Sequence, residues 1–161
     1  MFKGLKGLFG GKERETLGAP VSGQVIPMSQ VNDPTFSQEI LGKGVAIVPE
    51  KGEIVAPVTG TVTMVFDTLH ALSMQGDNGV ELIVHVGLDT VELKGQHFTA
   101  LVSAGAKVTK GTPLLKFDME KIKEAGYDVV TPLIVCNSPN YPEMDCKSGM
   151  HVNAGDTVIE L

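Results

Sequence analysis

Asp67-Thr-Leu-His-Ala-Leu-Ser-Met-Gln-Gly-Asp-Asn-Gly-Val-Glu-Leu-Ile-Val-His-Val-Gly-Leu-Asp-Thr-Val-Glu-Leu-Lys94 is the stretch whose reading decides the fold. It holds two of the chain's four histidines and its clearest turn. Gln75-Gly-Asp-Asn-Gly79 lies between two apolar-rich runs, the arrangement of a β-hairpin. A two-residue loop at Asp77-Asn78 predicts His70 directly opposite His85, with Leu72 opposite Ile83 and Met74 opposite Glu81 on the same face. Directly opposed side chains have Cβ atoms roughly 4.5–5.5 Å apart. Val80, Leu82 and Val84 then form the core face. A slip of one residue would put the two histidines on opposite faces.

Working outward, the chain reads as all-β. Ala19-Pro-Val-Ser-Gly-Gln-Val25 recurs as Ala56-Pro-Val-Thr-Gly-Thr-Val62. Gly105-Ala-Lys-Val-Thr-Lys-Gly-Thr-Pro-Leu-Leu115 recurs as Gly149-Met-His-Val-Asn-Ala-Gly-Asp-Thr-Val-Ile159. These are turn–strand units rather than solenoid periods, and they predict two similar β halves packed face to face. Further strands are expected at Val45–Val48, Thr61–Phe66, Leu114–Phe117, Val129–Val135 and Thr157–Leu161. Helical periodicity is confined to single turns within Pro34–Leu41 and Met119–Ala125, the latter stopped by Gly126. The expected fold is an antiparallel β-sandwich or barrel with internal repeats.

A chain of 161 residues, 42% hydrophobic and 20% charged, fits one soluble globular domain. The net charge of −6 argues against duplex nucleic acid as a partner. No apolar run approaches the roughly 20 residues that span a bilayer, and no secretory leader is evident. Cys136 and Cys146 do not form a CxxC motif and read as two reduced cytosolic thiols. Residues 1–17 carry Phe2, Leu5, Leu8 and Phe9 at helical spacing among Lys3, Lys6 and Lys12. They read as a flexible tail with a weak amphipathic, lipid-facing character; four glycines weaken any helix there. Residues 18–161 are the expected domain.

The chemistry must lie in the histidines. His97 reads as a solvated loop residue, and His151, which replaces Lys107 between repeats, as a surface residue. No P-loop, dinucleotide fingerprint, HExxH motif or nucleophile elbow is present. For His70 and His85 four readings stand side by side. They are two sheet histidines satisfied by backbone carbonyls, a metal site, a general acid–base pair, and a nucleophile with a stabilising neighbour. Zinc usually takes three or four protein ligands, and no third is obvious, so only adventitious zinc is expected on this pair. An imidazole with pKa near 6.5 is largely neutral at cytosolic pH and can attack a phosphoryl group.

Val84-His85-Val-Gly-Leu-Asp-Thr-Val-Glu-Leu-Lys-Gly95 resembles the signature of the glucose-type enzyme IIA domain of the bacterial sugar phosphotransferase system. Ala19-Pro-Val-Ser-Gly, Gly42-Lys-Gly-Val-Ala-Ile, Val55-Ala-Pro-Val-Thr-Gly and Thr68-Leu-His-Ala fit the same family in order and spacing. The resemblance covers residues 18–161. It implies a phosphocarrier without cofactor: His85 accepts the phosphoryl group on Nε2, His70 stabilises it, and Thr68 orients His70. The implied donor is the histidine-containing phosphocarrier protein, and the implied acceptor is a cysteine of a sugar permease's IIB domain. The implied partner surface is Phe36, Ile40, Leu41, Phe66, Ile83 and Val91, with Asp33 and Asp89 facing a basic patch on the donor. A cytoplasmic location and regulation through the phosphorylation state are also implied.

Leu69 departs from relatives that carry a polar residue there, and Ser138–Lys147 reads as a loop particular to this chain. With no IIB or IIC region, a free-standing or separately expressed IIA is expected. A two-histidine metal-binding regulatory protein is the alternative. A biotinyl or lipoyl carrier is a weaker one, because neither Met-Lys-Met nor Asp-Lys-Ala occurs.

Overall fold

Apolar residues alternate along short segments punctuated by glycine and proline, and the chain accordingly forms strands. The computed structural model describes residues 15–161. The amphipathic pattern of the tail, Phe2 to Lys12, lies outside the described residues. Fourteen strands occur among those described. The first seven are β1 (Thr16–Gly18), β2 (Gly23–Pro27), β3 (Lys43–Pro49), β4 (Glu53–Val55), β5 (Gly60–Val65), β6 (Ala71–Gly76) and β7 (Glu81–His85). The rest are β8 (Phe98–Ala100), β9 (Lys107–Val108), β10 (Pro113–Phe117), β11 (Thr131–Val135), β12 (Asp145–Cys146), β13 (His151–Val152) and β14 (Thr157–Glu160). Two short helices, α1 (Pro34–Ser37) and α2 (Met119–Glu124), match the two expected helical turns. The sheet begins at Thr16, so the expected boundary between tail and domain falls inside β1, where Leu17 is fully buried.

An eight-stranded antiparallel sheet runs in the order β13-β2-β3-β11-β7-β6-β5-β9. Two three-stranded sheets, β1-β14-β12 and β4-β10-β8, complete the sandwich. The repeats explain this layout. β2 pairs with β13 at one end of the large sheet, and β5 pairs with β9 at the other. β1–β14 and β4–β10 likewise correspond, each with a register shift at the same place in its repeat. The two units share one core that includes Leu17, Val25, Ile54, Val62, Leu72, Leu82, Leu115 and Ile159. They also meet where the Gly18 N–H donates to the Pro57 carbonyl at 2.9 Å. The segment 138–147, expected to be a loop, contains β12, which extends the β1–β14 ladder.

A smaller cluster covers the outer face of the large sheet. Met28, Val31 and Phe36 pack there on Ala46, Leu88, Val130 and Ile134. Asp33 starts α1 by accepting from the Thr35 N–H at 3.0 Å, with Pro34 at the first helical position. That cap directs Phe36 inward.

The β6–β7 hairpin differs from the expected register by one residue. Ala71, not His70, stands opposite His85, and Leu72 stands opposite Val84, Ser73 opposite Ile83 and Met74 opposite Leu82. Asp77 and Asn78 are the middle of the turn, but the loop has a third residue. Gly76 and Val80 are bonded across it at 2.8 Å, the Gly79 N–H donates to the Gly76 carbonyl, and Gly79 has φ +93°. This is a three-residue loop, a hydrogen-bonded β-turn ending in a glycine of positive φ. Asn137, distant in sequence, locks it: its Oδ1 accepts from the Glu81 N–H and its Nδ2 donates to the Gly79 carbonyl. Leu82 and Val84 face the core as expected.

Candidate active site

His85 ends β7 on the outer face of the large sheet, two residues beyond Ile83. Strict alternation would turn His70 to the other face. The chain avoids this because His70 precedes β6, and Leu69 before it takes a left-handed φ of +61°. The turn closes by a bond from the Leu69 N–H to the Phe66 carbonyl at 2.8 Å. The two imidazoles therefore meet, with ring centroids 4.8 Å apart and planes at 85°. The juxtaposition expected from the sequence is present, reached by a different backbone path.

Each ring has one nitrogen engaged. His85 Nδ1 lies 2.8 Å from the Gly87 carbonyl oxygen. A carbonyl only accepts, so Nδ1 carries the proton and Nε2 keeps its lone pair. His70 Nδ1 lies 2.7 Å from Thr68 Oγ1. A hydroxyl can give or take; when Thr68 donates, the His70 proton sits on Nε2.

Aromatic rings enclose the pair. Phe36 packs on His85 with centroids 4.9 Å apart, and Phe66 meets His70 edge-on at 5.5 Å. His70 is 4% exposed, while His85 is half-buried. Burial first, and the neighbouring His70 second, lower the pKa of His85 to about 4, against the opposing pull of the Gly87 carbonyl and Asp33. Burial lowers the pKa of His70 as well. Both imidazoles are thus held neutral near pH 7. The arrangement presents a neutral nucleophilic nitrogen beside a second imidazole, in an apolar surround.

The partner residues expected from the sequence separate into two groups. Ile40, Leu41 and Val91 are exposed, at 66%, 41% and 46%. Ile83 and Phe66 are half-buried. Phe36 corrects the expectation of a rim residue: it is 5% exposed and forms part of the site's floor, because α1 turns it into the outer cluster. Asp33 caps α1, and Asp89 is exposed with φ +58°. His151 stays apart in β13, where its Nε2 lies 2.8 Å from Glu50. His97 lies before β8 and offers its carbonyl to the Asp118 N–H.

Sequence reasoning missed Gly87 and Thr90. Gly87, at φ +82°, supplies the acceptor that sets the His85 tautomer. A glycine straight after a strand was the available signal. Thr90 is fully buried and donates its hydroxyl to the Val86 carbonyl; nothing in the sequence alone marked it. Among the described residues, no group of three or more His, Cys, Asp or Glu side chains is placed to hold a metal. No helix among them is long and apolar enough to cross a membrane.

Comparison with known proteins gives consistent results. Residues 15–141 match the family described as "phosphoenolpyruvate-dependent sugar phosphotransferase system, EIIA 1". The chain is 42% identical over 158 residues to the glucose-specific EIIA component of Oceanobacillus iheyensis, covering 96% of each. It is 52% identical over 148 residues to the beta-glucoside-specific EIIBCA component of Bacillus subtilis, covering 92% of this chain and 24% of that one. The chain thus spans about a quarter of that multi-component relative. Among solved structures it is similar to the glucose permease IIA from Mycoplasma capricolum, with TM-score 0.85 and 33% identity, covering 92% of this chain and 96% of that one.

Proposed function

The chain belongs to the EIIA 1 family of the phosphoenolpyruvate-dependent sugar phosphotransferase system, and from that premise we propose that it is a phosphocarrier in which His85 accepts a phosphoryl group on Nε2. The observation that carries this reading is the commitment of His85 Nδ1 to the Gly87 carbonyl, which leaves Nε2 as the nucleophile. The donor is the phosphohistidine of the small phosphocarrier protein. Its N–P bond breaks as the Nε2–P bond forms, with the two nitrogens in line. His85 keeps its Nδ1 proton, so the phosphorylated ring carries positive charge. The Gly87 carbonyl is already in place to stabilise that charge, an example of preorganised electrostatics.

His70, with Nδ1 accepting from Thr68, donates from Nε2–H to the phosphoryl oxygens. In the second step the thiolate of a IIB cysteine attacks phosphorus, the Nε2–P bond breaks, and His85 returns to its neutral form. Little covalent machinery is needed, since phosphoryl transfer rests on alignment and charge stabilisation. The exposed Ile40, Leu41 and Val91 give the two partners an apolar surface, and Asp33 and Asp89 answer a basic patch on the donor. Phosphorylation adds up to about −2 charge at this rim. That charge biases which partner docks next and gives the phosphorylation state a regulatory output. A cytoplasmic location follows from these partners.

The test incubates the protein with phosphoenolpyruvate, enzyme I and the phosphocarrier. An acid-labile, base-stable phosphate is expected on the wild type and none on His85→Ala. His70→Ala is expected to accept phosphate and pass it on poorly. Labelling of His85→Ala at the wild-type level would overturn the site, and an unlabelled wild type would overturn the function.

A further inference from the structure

The His85 tautomer depends on where one carbonyl points, and that carbonyl is held by a connected set of bonds. The Val86–Gly87 peptide is fixed at both ends: its N–H, from Gly87, donates to the Val130 carbonyl at 2.8 Å, and its carbonyl accepts from the Thr90 hydroxyl. The next peptide is tied by the Leu88 N–H, which donates to the Asp128 carbonyl at 3.1 Å, and its own carbonyl is the one that accepts from His85 Nδ1. The Val86 N–H in turn donates to the His70 carbonyl at 2.7 Å. The backbone of Val86 thus bridges His70 on one side and Thr90 on the other. Of the groups that hold these two peptides, Thr90 Oγ1 is a side chain, whereas Val130 and Asp128 act through their backbones.

Gly87 sits at φ +82°, where two fixed peptide planes are needed to hold one orientation. Thr90 is fully buried, and its Cγ2 would lie 2.5 Å from a Cβ placed on Gly87. The hydroxyl of Thr90 therefore ties the turn, and its methyl fills the space that a side chain at position 87 would need. We infer that Thr90 is a positioning residue for phosphoryl transfer: its hydroxyl orients the Val86–Gly87 peptide so that the Gly87 carbonyl keeps the proton of His85 on Nδ1. This inference rests on the phosphocarrier reading above.

Thr90→Val keeps the shape and removes the hydroxyl, whereas Thr90→Ser keeps the hydroxyl. Imidazole 15N NMR of the unphosphorylated protein reads the tautomer without any transfer step. The wild type is expected to hold the His85 proton on Nδ1. Thr90→Val is expected to shift a measurable fraction to Nε2 and to slow phosphoryl uptake about tenfold at unchanged folded fraction. Thr90→Ser is expected to stay within about threefold of wild type. Where Thr90→Val does not fold, Thr90→Ala is read in the same way, and Thr90→Ser is compared with wild type by the same spectrum. A hydroxyl-free variant with the wild-type tautomer and uptake rate overturns the inference. A wild type that is never phosphorylated overturns the phosphocarrier reading instead, while the tautomer result still stands.

Discussion

His85 is built to stay neutral and to present one nitrogen. Burial, with help from His70, brings its pKa to about 4, against about 6.5 for an unperturbed histidine. Two consequences are measurable. The His85 ring resonances are expected to titrate with a midpoint near 4, not 6.5, by NMR; a midpoint at 6 or above would contradict the burial argument. The second concerns stability. The unfolded chain takes up the proton below about 6.5, and the folded chain does not until about 4, so stability is expected to fall as pH drops through that window. Denaturant melts from pH 7 to 4 are expected to lose less stability in His85→Gln than in wild type. Thr68→Val tests the other ring. It is expected to leave uptake by His85 measurable and to slow onward transfer, because the Thr68–Nδ1 bond of 2.7 Å orients His70.

At the scale of elements, two glycines with positive φ do different work. Gly79, at φ +93°, has open space around a hypothetical Cβ, so Gly79→Ala adds only backbone strain, about 1–2 kcal/mol. Phosphoryl uptake by the folded variant is expected to be normal. Gly87→Ala meets Thr90 Cγ2 at 2.5 Å and the Asp128 carbonyl oxygen at 2.6 Å. It is expected to lower the melting midpoint and also to slow uptake by the folded protein, since it moves the carbonyl that serves His85. Equal uptake in the two variants would separate the turn from the chemistry. These elements also mark how far the sequence could be read. The repeated Ala-Pro-Val and Gly-x-x-Val units announced two similar β halves, but not that β2 pairs with β13 and β5 with β9. Gly-Asp-Asn-Gly announced the hairpin, but two- and three-residue loops share those residues. Asn137, far along the chain, helps settle the choice. The opposed-histidine expectation failed in register and succeeded in outcome, because Leu69 adopts a positive φ that propensity does not foretell. The tautomer of His85 was not legible from spacing, because it depends on the Gly87 carbonyl, whose turn is tied to Asp128 and Val130 in the distant segment before β11.

For the molecule as a whole, the histidine pair lies at the outer face of the large sheet, against Phe36 and Phe66. His85 ends β7 beside the outer cluster, where Phe36 of α1 packs on its ring. Ile40 and Val91 stand exposed on the flanking segments. Ile40→Asp and Val91→Asp are therefore expected to change stability by no more than about 0.5 kcal/mol. Each is expected to lower the rate of phosphoryl uptake severalfold, as read by rapid quench against carrier concentration. Unchanged rates would move the docking surface elsewhere. Asp33 and Asp89 make a further prediction at this scale. Uptake is expected to weaken with rising salt in the wild type, and less steeply in Asp89→Asn, because screening acts on exposed charges.

The central claim is that His85 accepts phosphate through Nε2 because its Nδ1 is committed to Gly87. The most direct measurement is combined 31P and 15N NMR of the protein after phosphorylation by the carrier. A single phosphohistidine is expected at His85, bonded through Nε2, with Nδ1 still protonated. A phosphoryl group on Nδ1 of His85, or on His70, would contradict the account.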